Sequence, residues 1–514
     1  MDMGKKKADL VRIIAATVSG LLLWAAYPPH GETLAILVAL VPMLALARIA
    51  SPRRSAFAFF VFGCVFWVLA LSWMPAIIKN NGPWPLVILG WFALAAYCAG
   101  YFALFGFLSA WLWRRRREGS GFQIPSVVCM FSEAAIWTLL EYIRATLLSG
   151  FAWNFLGTAF ASMPSFATPA RFGGVYLVSA LVVLLNGVFA TLLLRVFAPA
   201  IGLSVEVAPR SRLKNRLVQI CETGLPLAFI LACLCAGNRI VRGEVMASES
   251  GSVHLRVALV QRNAPCCFKP GKRENAYEAF GRLMDAVAAA KPDLVVLAES
   301  AMAEFGNVRS FRAVDAVRGF FERSGALALM AGGDDVVSNQ TYNAVAFYMR
   351  GEGKENGPVA VYHKQHLVPF GEYIPLDKWI TPLQKLSPVG VSLHPGEPMI
   401  FELAVSGGRI VKIAPLICYE DTDPRLAAQA KRMGADMIVL VTNDSWFSGS
   451  AEAEAHASQA VLRAIETGLP IIRVGNSGVT GVIRPDGSAN WLAESSGKPL
   501  IDAPGVMVET VVLP

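Results

Sequence analysis

Charged residues are scarce in this chain. They make up 16% of its 514 residues, whereas hydrophobic residues make up 54%. A soluble globular domain carries about 25% charged residues, so the shortage argues against a wholly soluble protein and predicts membrane-spanning segments. The net charge of +8 comes largely from short basic runs between apolar stretches. This pattern favours membrane topology over binding to nucleic acid.

The sequence also lacks a disulfide or zinc framework. It has nine cysteines, but no Cys-x-x-Cys pair has a partner at zinc-ligand spacing. Internal repeats and low-complexity tracts are absent too. Five of the cysteines lie inside apolar segments: Cys64, Cys98, Cys129, Cys233 and Cys235.

Apolar segments fill the first 240 residues and predict about seven membrane spans. Basic residues are concentrated in alternate loops between these segments, as the positive-inside rule requires. The N-terminus is therefore expected in the cytoplasm, with an uncleaved first span, and everything after Arg242 on the outer side. The predicted spans are 11–27, 34–50, 56–78, 84–113, 124–145, 172–194 and 217–236.

The pattern changes near residue 254, so we predict a membrane bundle over 1–242 and an α/β domain over 243–514. The predicted strands are almost entirely apolar, which indicates a sheet that is covered on at least one face. Helical patterns occupy Glu274–Ala290, Phe311–Ser324 and Ala453–Glu466. The predicted strands are Leu255–Gln261, Leu294–Leu297, Leu327–Ala331, Ala344–Met349, Ile410–Leu416, Met437–Val441, Ile471–Val474 and Val479–Ile483.

Three polar residues at or near strand ends can form an acyl-transfer site. A thiol becomes a nucleophile when a base takes its proton, and an ammonium can stabilise the resulting charges. Glu299, Lys364 and Cys418 would supply these groups without a metal or organic cofactor. Taken singly, each has a plainer interpretation: a solvated turn residue, a surface lysine and a small buried thiol.

Several motifs around these residues resemble the nitrilase superfamily. They include His366–Glu372, Ile417–Glu420 and Asn443–Phe447. Together with the preceding spans, and with Glu141–Arg144 and Ser149–Trp153, the whole chain resembles the apolipoprotein N-acyltransferase family. The resemblance implies an α-β-β-α sandwich in the second domain.

The resemblance also implies roles for individual residues. Glu299 matches the general base, Lys364 the oxyanion-stabilising lysine and Cys418 the nucleophile. Glu372 resembles a second glutamate that supports the lysine or the base, although a structural ion pair with Lys364 explains it equally well. Tyr419 and Glu420 match residues that shape the turn at the nucleophile.

The chain departs from the family pattern at three places. Leu297 and Ala298 stand where Trp-Pro usually precedes the base, and Pro270 lies near the place of an aromatic residue. The family's sequences often end in a further membrane span, whereas this sequence stops at Pro514 after a polar stretch, so that span is either absent or truncated. Asn443, Arg473 and Asn476 are expected to hold the ends of the sheet together.

The implied substrates are a phospholipid acyl donor and a diacylglyceryl apolipoprotein acceptor, at the bacterial inner membrane with the catalytic domain on the periplasmic side. The apolar segment 370–393 is expected to act as an arm that dips into the outer leaflet, unless it is an ordinary loop packed on the domain. Possible lipid or substrate contacts are Trp379, Ile380, Trp446, Arg144 and Trp153.

Some weaker expectations and rival functions stay open at this stage. Glu133 lies mid-span and is either a functional or a structural group. Glu141 and Arg144 could pair. His456 could touch substrate or pack internally.

A membrane-anchored amidase would use Glu299, Lys364 and Cys418 to pass the acyl group to water. A transporter or receptor with an inactive ectodomain is a second alternative, against which the intact Glu299, Lys364 and Cys418 argue.

Overall fold

The computed structural model describes residues 2–80, 82–118, 124–197, 212–248, 253–264, 285–353, 357–375, 392–405 and 407–513. The chain divides into two compact units. The first comprises residues 1–75 and 84–240, and the second comprises residues 76–83 and 241–514. The short segment Ala76–Pro83 therefore belongs to the same unit as the C-terminal half of the chain.

The first unit is helical. Among the described residues, five helical stretches are long and apolar enough to cross a membrane: Pro52–Asn80, Trp84–Glu118, Ser126–Ser149, Ala170–Phe197 and Ile220–Met246. The first two predicted spans fall on α1 and on the shorter apolar stretch Thr33–Ile49, so the total of seven spans stays a prediction. The helices are α1 (Asp2–Ala25), α2 (Val41–Ile49), α3 (Pro52–Ala70), α4 (Trp84–Glu118), α5 (Ser126–Thr146), α6 (Pro164–Ala167), α7 (Ala170–Phe197) and α8 (Arg212–Ser248).

Glu133 of α5 lies in a hydrogen-bonded polar cluster inside this unit. Its carboxylate accepts hydrogen bonds from Ser109 Oγ at 2.6 Å and from Trp113 Nε1 at 2.9 Å. The guanidinium of Arg48 lies 3.4 Å away and also donates to Thr191 and to the carbonyl of Gly187. Because a charged group in an apolar interior is costly unless paired, these contacts give Glu133 a structural role in the described helices.

In the part of the chain that the structure describes, the second unit contains two six-stranded sheets. Their strand orders are β12-β1-β2-β3-β4-β5 and β11-β10-β9-β8-β7-β6. Strands β1, β2 and β3 run parallel to one another, as do β7, β8 and β9. The strands are β1 (Val253–Gln261), β2 (Leu294–Leu297), β3 (Ala328–Val337), β4 (Gln340–Met349), β5 (Ala360–His363), β6 (Phe401–Ala404), β7 (Ile410–Ile417), β8 (Met437–Thr442), β9 (Ile471–Gly475), β10 (Gly481–Ile483), β11 (Ala489–Trp491) and β12 (Gly505–Leu513).

Alternation along the strands builds the layers. Val257 and Leu259 point into a core shared with Ile413 and Val439 of the other sheet, because successive side chains of a strand face opposite sides. Ala258 and its alternate neighbours point instead into a second core that includes α9 (Phe311–Ser324). Two further helices, α10 (Pro424–Arg432) and α11 (Glu452–Thr467), follow β7 and β8 along the chain. The predicted α/β sandwich is confirmed.

The C-terminal strand corrects one expectation. The residues before Pro514 were interpreted as a polar stretch, but Gly505–Leu513 forms β12 and pairs antiparallel with the whole of β1. Glu509 and Thr510 interrupt its apolar residues, so it lacks the continuous apolar run that marks a buried strand. Strands β5, β6 and β11, which have three or four residues each, were also not predicted. Most of the predicted helix Glu274–Ala290 lies outside the described residues.

Candidate active site

The topology of the sandwich brings the three candidate residues to strand ends. Glu299 follows β2, Lys364 follows β5 directly, and Cys418 follows β7 directly. Strand β5 is antiparallel to β4, which is antiparallel to β3, so β5 runs parallel to β2 and β3. The carboxyl ends of β2 and β5 therefore share one edge of the first sheet, where loops usually carry functional groups.

Two glutamates, an asparagine and a lysine form one hydrogen-bonded group at this edge. The side-chain amide of Asn343 donates to Glu299 Oε1 and to Glu372 Oε1, both at 2.7 Å. Lys364 Nζ lies 2.9 Å from Glu372 Oε2 and 3.0 Å from Glu372 Oε1. Lys364 is 1% exposed, so its charge depends on these carboxylates. Asn343 was not among the candidate site residues, and its role as a bridge between the glutamates was not anticipated.

The electrostatics at this edge hold the thiol protonated at rest. Burial and the carboxylate of Glu299 raise the pKa of Cys418 well above its usual value, and Lys364 offsets part of this rise. Burial also raises the pKa of Glu299, which makes its carboxylate a stronger proton acceptor. Burial opposes the charge on Lys364, but Glu372, Cys418 and Glu299 outweigh that effect, and the pKa of Lys364 is raised. Glu299 is thus suited to accept the Cys418 proton while Lys364 keeps its charge.

Cys418 lies at a strained turn that Glu420 holds in place. The backbone of Cys418 has φ of 52°, a left-handed conformation that costs on the order of 1–3 kcal/mol for a non-glycine residue. Glu420 Oε2 accepts a hydrogen bond from the Ile417 amide at 2.7 Å, and Glu420 Oε1 accepts from the Gln365 amide at 2.6 Å. The Tyr362 hydroxyl also donates to this carboxylate at 2.9 Å. Glu420 therefore joins the turn at the nucleophile to the segment that follows Lys364.

Replacing Glu420 with glutamine is expected to lower the free energy of unfolding by about 1.5–3 kcal/mol, because hydrogen bonds to a charged group are lost. The new side-chain NH2 group would face donors that now meet a carboxylate oxygen. Thermal unfolding of the purified protein measures this change, and Glu402→Gln, at an exposed position of β6, is the matched control. An unchanged unfolding temperature for Glu420→Gln would contradict this account of the turn.

The loop after β8 is held from two directions. Asn443 Oδ1 accepts hydrogen bonds from Ser445 Oγ at 2.6 Å and from Asn476 Nδ2 at 3.1 Å. The side-chain amide of Asn80, in the segment Ala76–Pro83, donates to the carbonyls of Ser445 at 3.2 Å and Trp446 at 2.8 Å. Asn80 was not anticipated, because it lies far away in the chain and no motif marks it.

The structure describes Tyr419 and Trp446, two of the remaining candidates. Tyr419 is half-buried, and its ring packs edge-on against His366 at 5.5 Å. Trp446 is half-buried in the loop after β8. Trp379 and Ile380, and with them most of the predicted arm, lie outside the described residues.

Arg144 and Trp153 are buried within the first unit. The guanidinium of Arg144 donates to the carbonyls of Phe151 at 2.7 Å and Trp153 at 2.8 Å and lies 4.8 Å from the centre of the Trp67 ring. The anticipated ion pair with Glu141 is not formed; Glu141 accepts instead from Trp137 Nε1 and from the amide of Leu156. Two backbone carbonyls thus take the place that Glu141 was expected to have beside Arg144. Contact of Arg144 with a lipid stays a prediction.

Two family models match successive parts of the chain. Residues 19–188 match the model of the apolipoprotein N-acyltransferase N-terminal domain, and residues 256–493 match the carbon-nitrogen hydrolase model. The apolipoprotein N-acyltransferase of Geobacter metallireducens is 29% identical over 476 residues, which cover 91% of this chain and 84% of the relative. That of Azotobacter vinelandii is 29% identical over 480 residues, which cover 92% and 85%.

A third relative, the apolipoprotein N-acyltransferase of Ralstonia nicotianae, is 28% identical over 482 residues, which cover 92% of this chain and 83% of the relative. The two matched models follow each other along the chain, and the relatives align with nearly all of it. Over nearly all of its length, the chain is similar to apolipoprotein N-acyltransferases.

Proposed function

We propose that this chain transfers a fatty acyl group from a membrane phospholipid, through a thioester on Cys418, to the N-terminal amine of diacylglyceryl-cysteine in apolipoproteins. The arrangement of Glu299, Lys364 and Cys418 carries the chemical part of the proposal, since it supplies a base, an oxyanion partner and a nucleophile. The five apolar helices fit substrates that reside in a bilayer. The acyltransferase relatives support the choice of an amine as acceptor.

The first half-reaction acylates the enzyme. Glu299 accepts the proton of the Cys418 thiol, and the thiolate attacks the carbonyl carbon of the donor ester. The ammonium of Lys364 stabilises the oxyanion of the tetrahedral intermediate. When the intermediate collapses, the carbon–oxygen ester bond breaks, Glu299 returns the proton to the departing alkoxide, and the lysophospholipid leaves. A thioester on Cys418 remains.

The second half-reaction returns the enzyme to its starting state. The α-amine of the acceptor attacks the thioester carbonyl, and Glu299 accepts a proton from the attacking nitrogen. The carbon–sulfur bond breaks, the product leaves as an amide, and the proton passes to the Cys418 sulfur. Because Glu299 and Lys364 perform the same tasks in both halves, one site suffices for the two substrates.

We further propose that residues 243–514 form the catalytic domain on the periplasmic side of the bacterial inner membrane. The alternation of basic and non-basic loops supports this orientation. Labelling of an exposed engineered cysteine with a membrane-impermeant reagent in intact spheroplasts tests it. Protection of that cysteine until the membrane is opened would reverse the orientation.

A transfer assay distinguishes the proposed function from hydrolysis. Purified protein in phospholipid vesicles is incubated with a diacylglyceryl lipopeptide, and the products are identified by mass spectrometry. The proposal predicts a lipopeptide heavier by one acyl group on its α-amine, and no change in a matched lipopeptide whose amine is acetylated. Release of free fatty acid at the same rate with and without the free amine would favour the amidase alternative.

We propose that the segment 370–393 is an arm that admits lipid to the site. Its first residue, Phe370, is 67% exposed, and the amide of Leu393 donates to the carbonyl of Glu372 at 2.8 Å. The ends of the segment are therefore held together next to the residue that pairs with Lys364. Trp379 and Ile380 give the intervening stretch the apolar character of a membrane-interface element.

Changing Trp379 and Ile380 together to glutamine is expected to slow acylation of Cys418 by vesicle phospholipid, by about tenfold for each 1.4 kcal/mol of lost lipid contact. Acylation by a short-chain, water-soluble ester should change little, because that donor does not pass through the membrane interface. Phe311→Gln is the matched control, since Phe311 is an exposed aromatic residue at the start of α9. Unchanged acylation by vesicle phospholipid would exclude the arm.

A further inference from the structure

A buried histidine bridges two loops at the carboxyl end of the second sheet. His456 of α11 is 2% exposed. Its Nδ1 lies 3.0 Å from Asp444 Oδ1, and its Nε2 lies 3.0 Å from Asp421 Oδ1. A neutral imidazole has one N–H donor, whereas two hydrogen bonds to carboxylates need two. With both aspartates ionised, the geometry therefore favours a doubly protonated, positively charged ring.

The surrounding charges are balanced around this cation. Arg473 Nη2 lies 3.2 Å from Asp444 Oδ2, and Glu452 Oε1 lies 3.5 Å from His456 Nδ1. The charges of His456 and Arg473 offset those of Asp421 and Asp444, which leaves Glu452 as the surplus acid. Burial and the charge of Asp444 raise the pKa of Glu452. Burial opposes the charge on His456, but Asp421 and Asp444 outweigh it and raise its pKa.

The same residues include types that bind metal ions, but their hydrogen bonds favour a charge network. The ligand atoms of Asp444, Glu452 and His456 lie within 4.8 Å of one another. Both ring nitrogens of His456 face carboxylates, however, and the guanidinium of Arg473 lies against Asp444. A metal would have to displace these contacts.

The two aspartates belong to the elements that carry the reactive groups. Asp421 lies in the short helix Cys418–Thr422, which begins at the nucleophile. Asp444 begins the short helix Asp444–Phe447 directly after Asn443, and its carboxylate accepts a hydrogen bond from Thr442 Oγ1 at 2.8 Å. The charge of Asp444 also contributes to the raised pKa values of Cys418 and Glu299, so the network lies within electrostatic reach of the reacting pair.

We propose that His456 is a positioning residue for acyl transfer, which fixes the turn at Cys418 relative to the loop at Asn443 and balances the charge of Asp444 near the thiol. It acts through Asp421 and Asp444 and does not contact the reacting atoms. The part of this inference that concerns acyl transfer rests on the proposed function. The part that concerns charge balance does not.

A double-mutant cycle tests the bridge. His456→Gln and Asp421→Asn are each expected to slow thioester formation on Cys418 by about 10²-fold, the typical cost of a small misplacement of a reactive group. Because both changes break the same contact, the double variant should be no slower than the worse single variant. Multiplication of the two effects, or a wild-type rate for Asp421→Asn, would overturn the proposal. Asp421→Asn keeps His456, so it remains informative if His456→Gln does not fold.

The pH profile of Cys418 alkylation tests the charge. Iodoacetamide is reacted with the full-length protein across a pH series, and modification of Cys418 is followed by peptide mass spectrometry. Four charged or titratable groups face His456, namely Asp421, Asp444, Glu452 and Arg473. In His456→Gln the anions near the thiol lose a balancing cation, so the midpoint of the profile should move to higher pH.

Ser458→Ala is the matched control, because Ser458 lies on the same helix and donates to the carbonyl of Ala455. Its alkylation midpoint should equal that of the wild type. An unchanged midpoint in His456→Gln would show that the residue only packs, and would overturn the charge-balance role. Alkylation needs no lipid, so it tests the charge-balance role independently of acyl transfer. If the midpoint shifts in His456→Gln but the wild type forms no thioester, the proposed function is refuted and the charge-balance role is kept.

Discussion

Glu299→Gln is expected to slow thioester formation on Cys418 by about 10²–10⁴-fold, the usual contribution of a general base. Glutamine is nearly the same size and can still accept the 2.7 Å hydrogen bond that Asn343 donates, so the fold around it should persist. It cannot accept the thiol proton. The rate constant for acylation by vesicle phospholipid, measured from a single turnover, gives the size of the loss.

The same variant should make Cys418 easier to ionise. The carboxylate of Glu299 raises the pKa of Cys418, so its removal lowers that pKa and moves the alkylation profile to lower pH. Glu304→Gln is the matched control. Glu304 lies in the next short helix, Ala303–Phe305, and pairs with Arg262. A slow enzyme with a more reactive thiol identifies Glu299 as the base. Retention of the full acylation rate would remove Glu299 from the mechanism.

Lys364→Met is expected to slow acylation by about 10²–10³-fold, the cost of removing one oxyanion-stabilising group. Methionine has a similar length but carries no charge. The variant should bind donor lipid as the wild type does, because the loss falls on the transition state. Lys412→Met, at an exposed position of β7, serves as the control. A normal acylation rate in Lys364→Met would assign the oxyanion to another group.

Lys364→Met should also make stability fall more steeply as the pH rises. Without the ammonium, the pKa of the buried Glu299 rises further above that of an exposed glutamate, about 4.3. A carboxyl group whose pKa is raised on folding destabilises the folded protein as the pH rises above the pKa of that group in the unfolded state. The wild type keeps the stabilisation by Lys364 throughout this range, because the pKa of Lys364 is itself raised. Thermal unfolding of Lys364→Met and of the wild type is compared at about pH 5 and about pH 8. The variant should lose more stability relative to the wild type at the higher pH.

The sequence predicted those parts of the second unit that have a strong local signal. The strand Leu294–Leu297 and the helix Phe311–Ser324 have their predicted bounds, because a buried apolar run and a 3.6-residue period are local patterns. The placement of Glu299 and Cys418 after strands follows from the same patterns, whereas strand β5, which ends directly before Lys364, was not predicted. Their roles remain predictions that the variants above test.

Other features depend on contacts between distant parts of the chain. The bridge from Asp421 through His456 to Asp444, and the hydrogen bonds from Asn80 to the loop after β8, join residues that no periodicity relates. Strand β6 has four residues, too few to show alternation, and pairing with β7 is what orders it. Such features arise from tertiary context, which overrides local preference.

Intact-protein mass spectrometry after incubation with phospholipid vesicles tests the central claim most directly. The account predicts an adduct of one fatty acyl mass that hydroxylamine removes, that maps to Cys418 and that is absent from Cys418→Ala. Cys235→Ala, which removes an exposed cysteine of the helix α8, should acquire the adduct as the wild type does. A folded wild-type protein that modifies lipopeptide amines without ever carrying a labile acyl group on Cys418 would contradict the thioester mechanism.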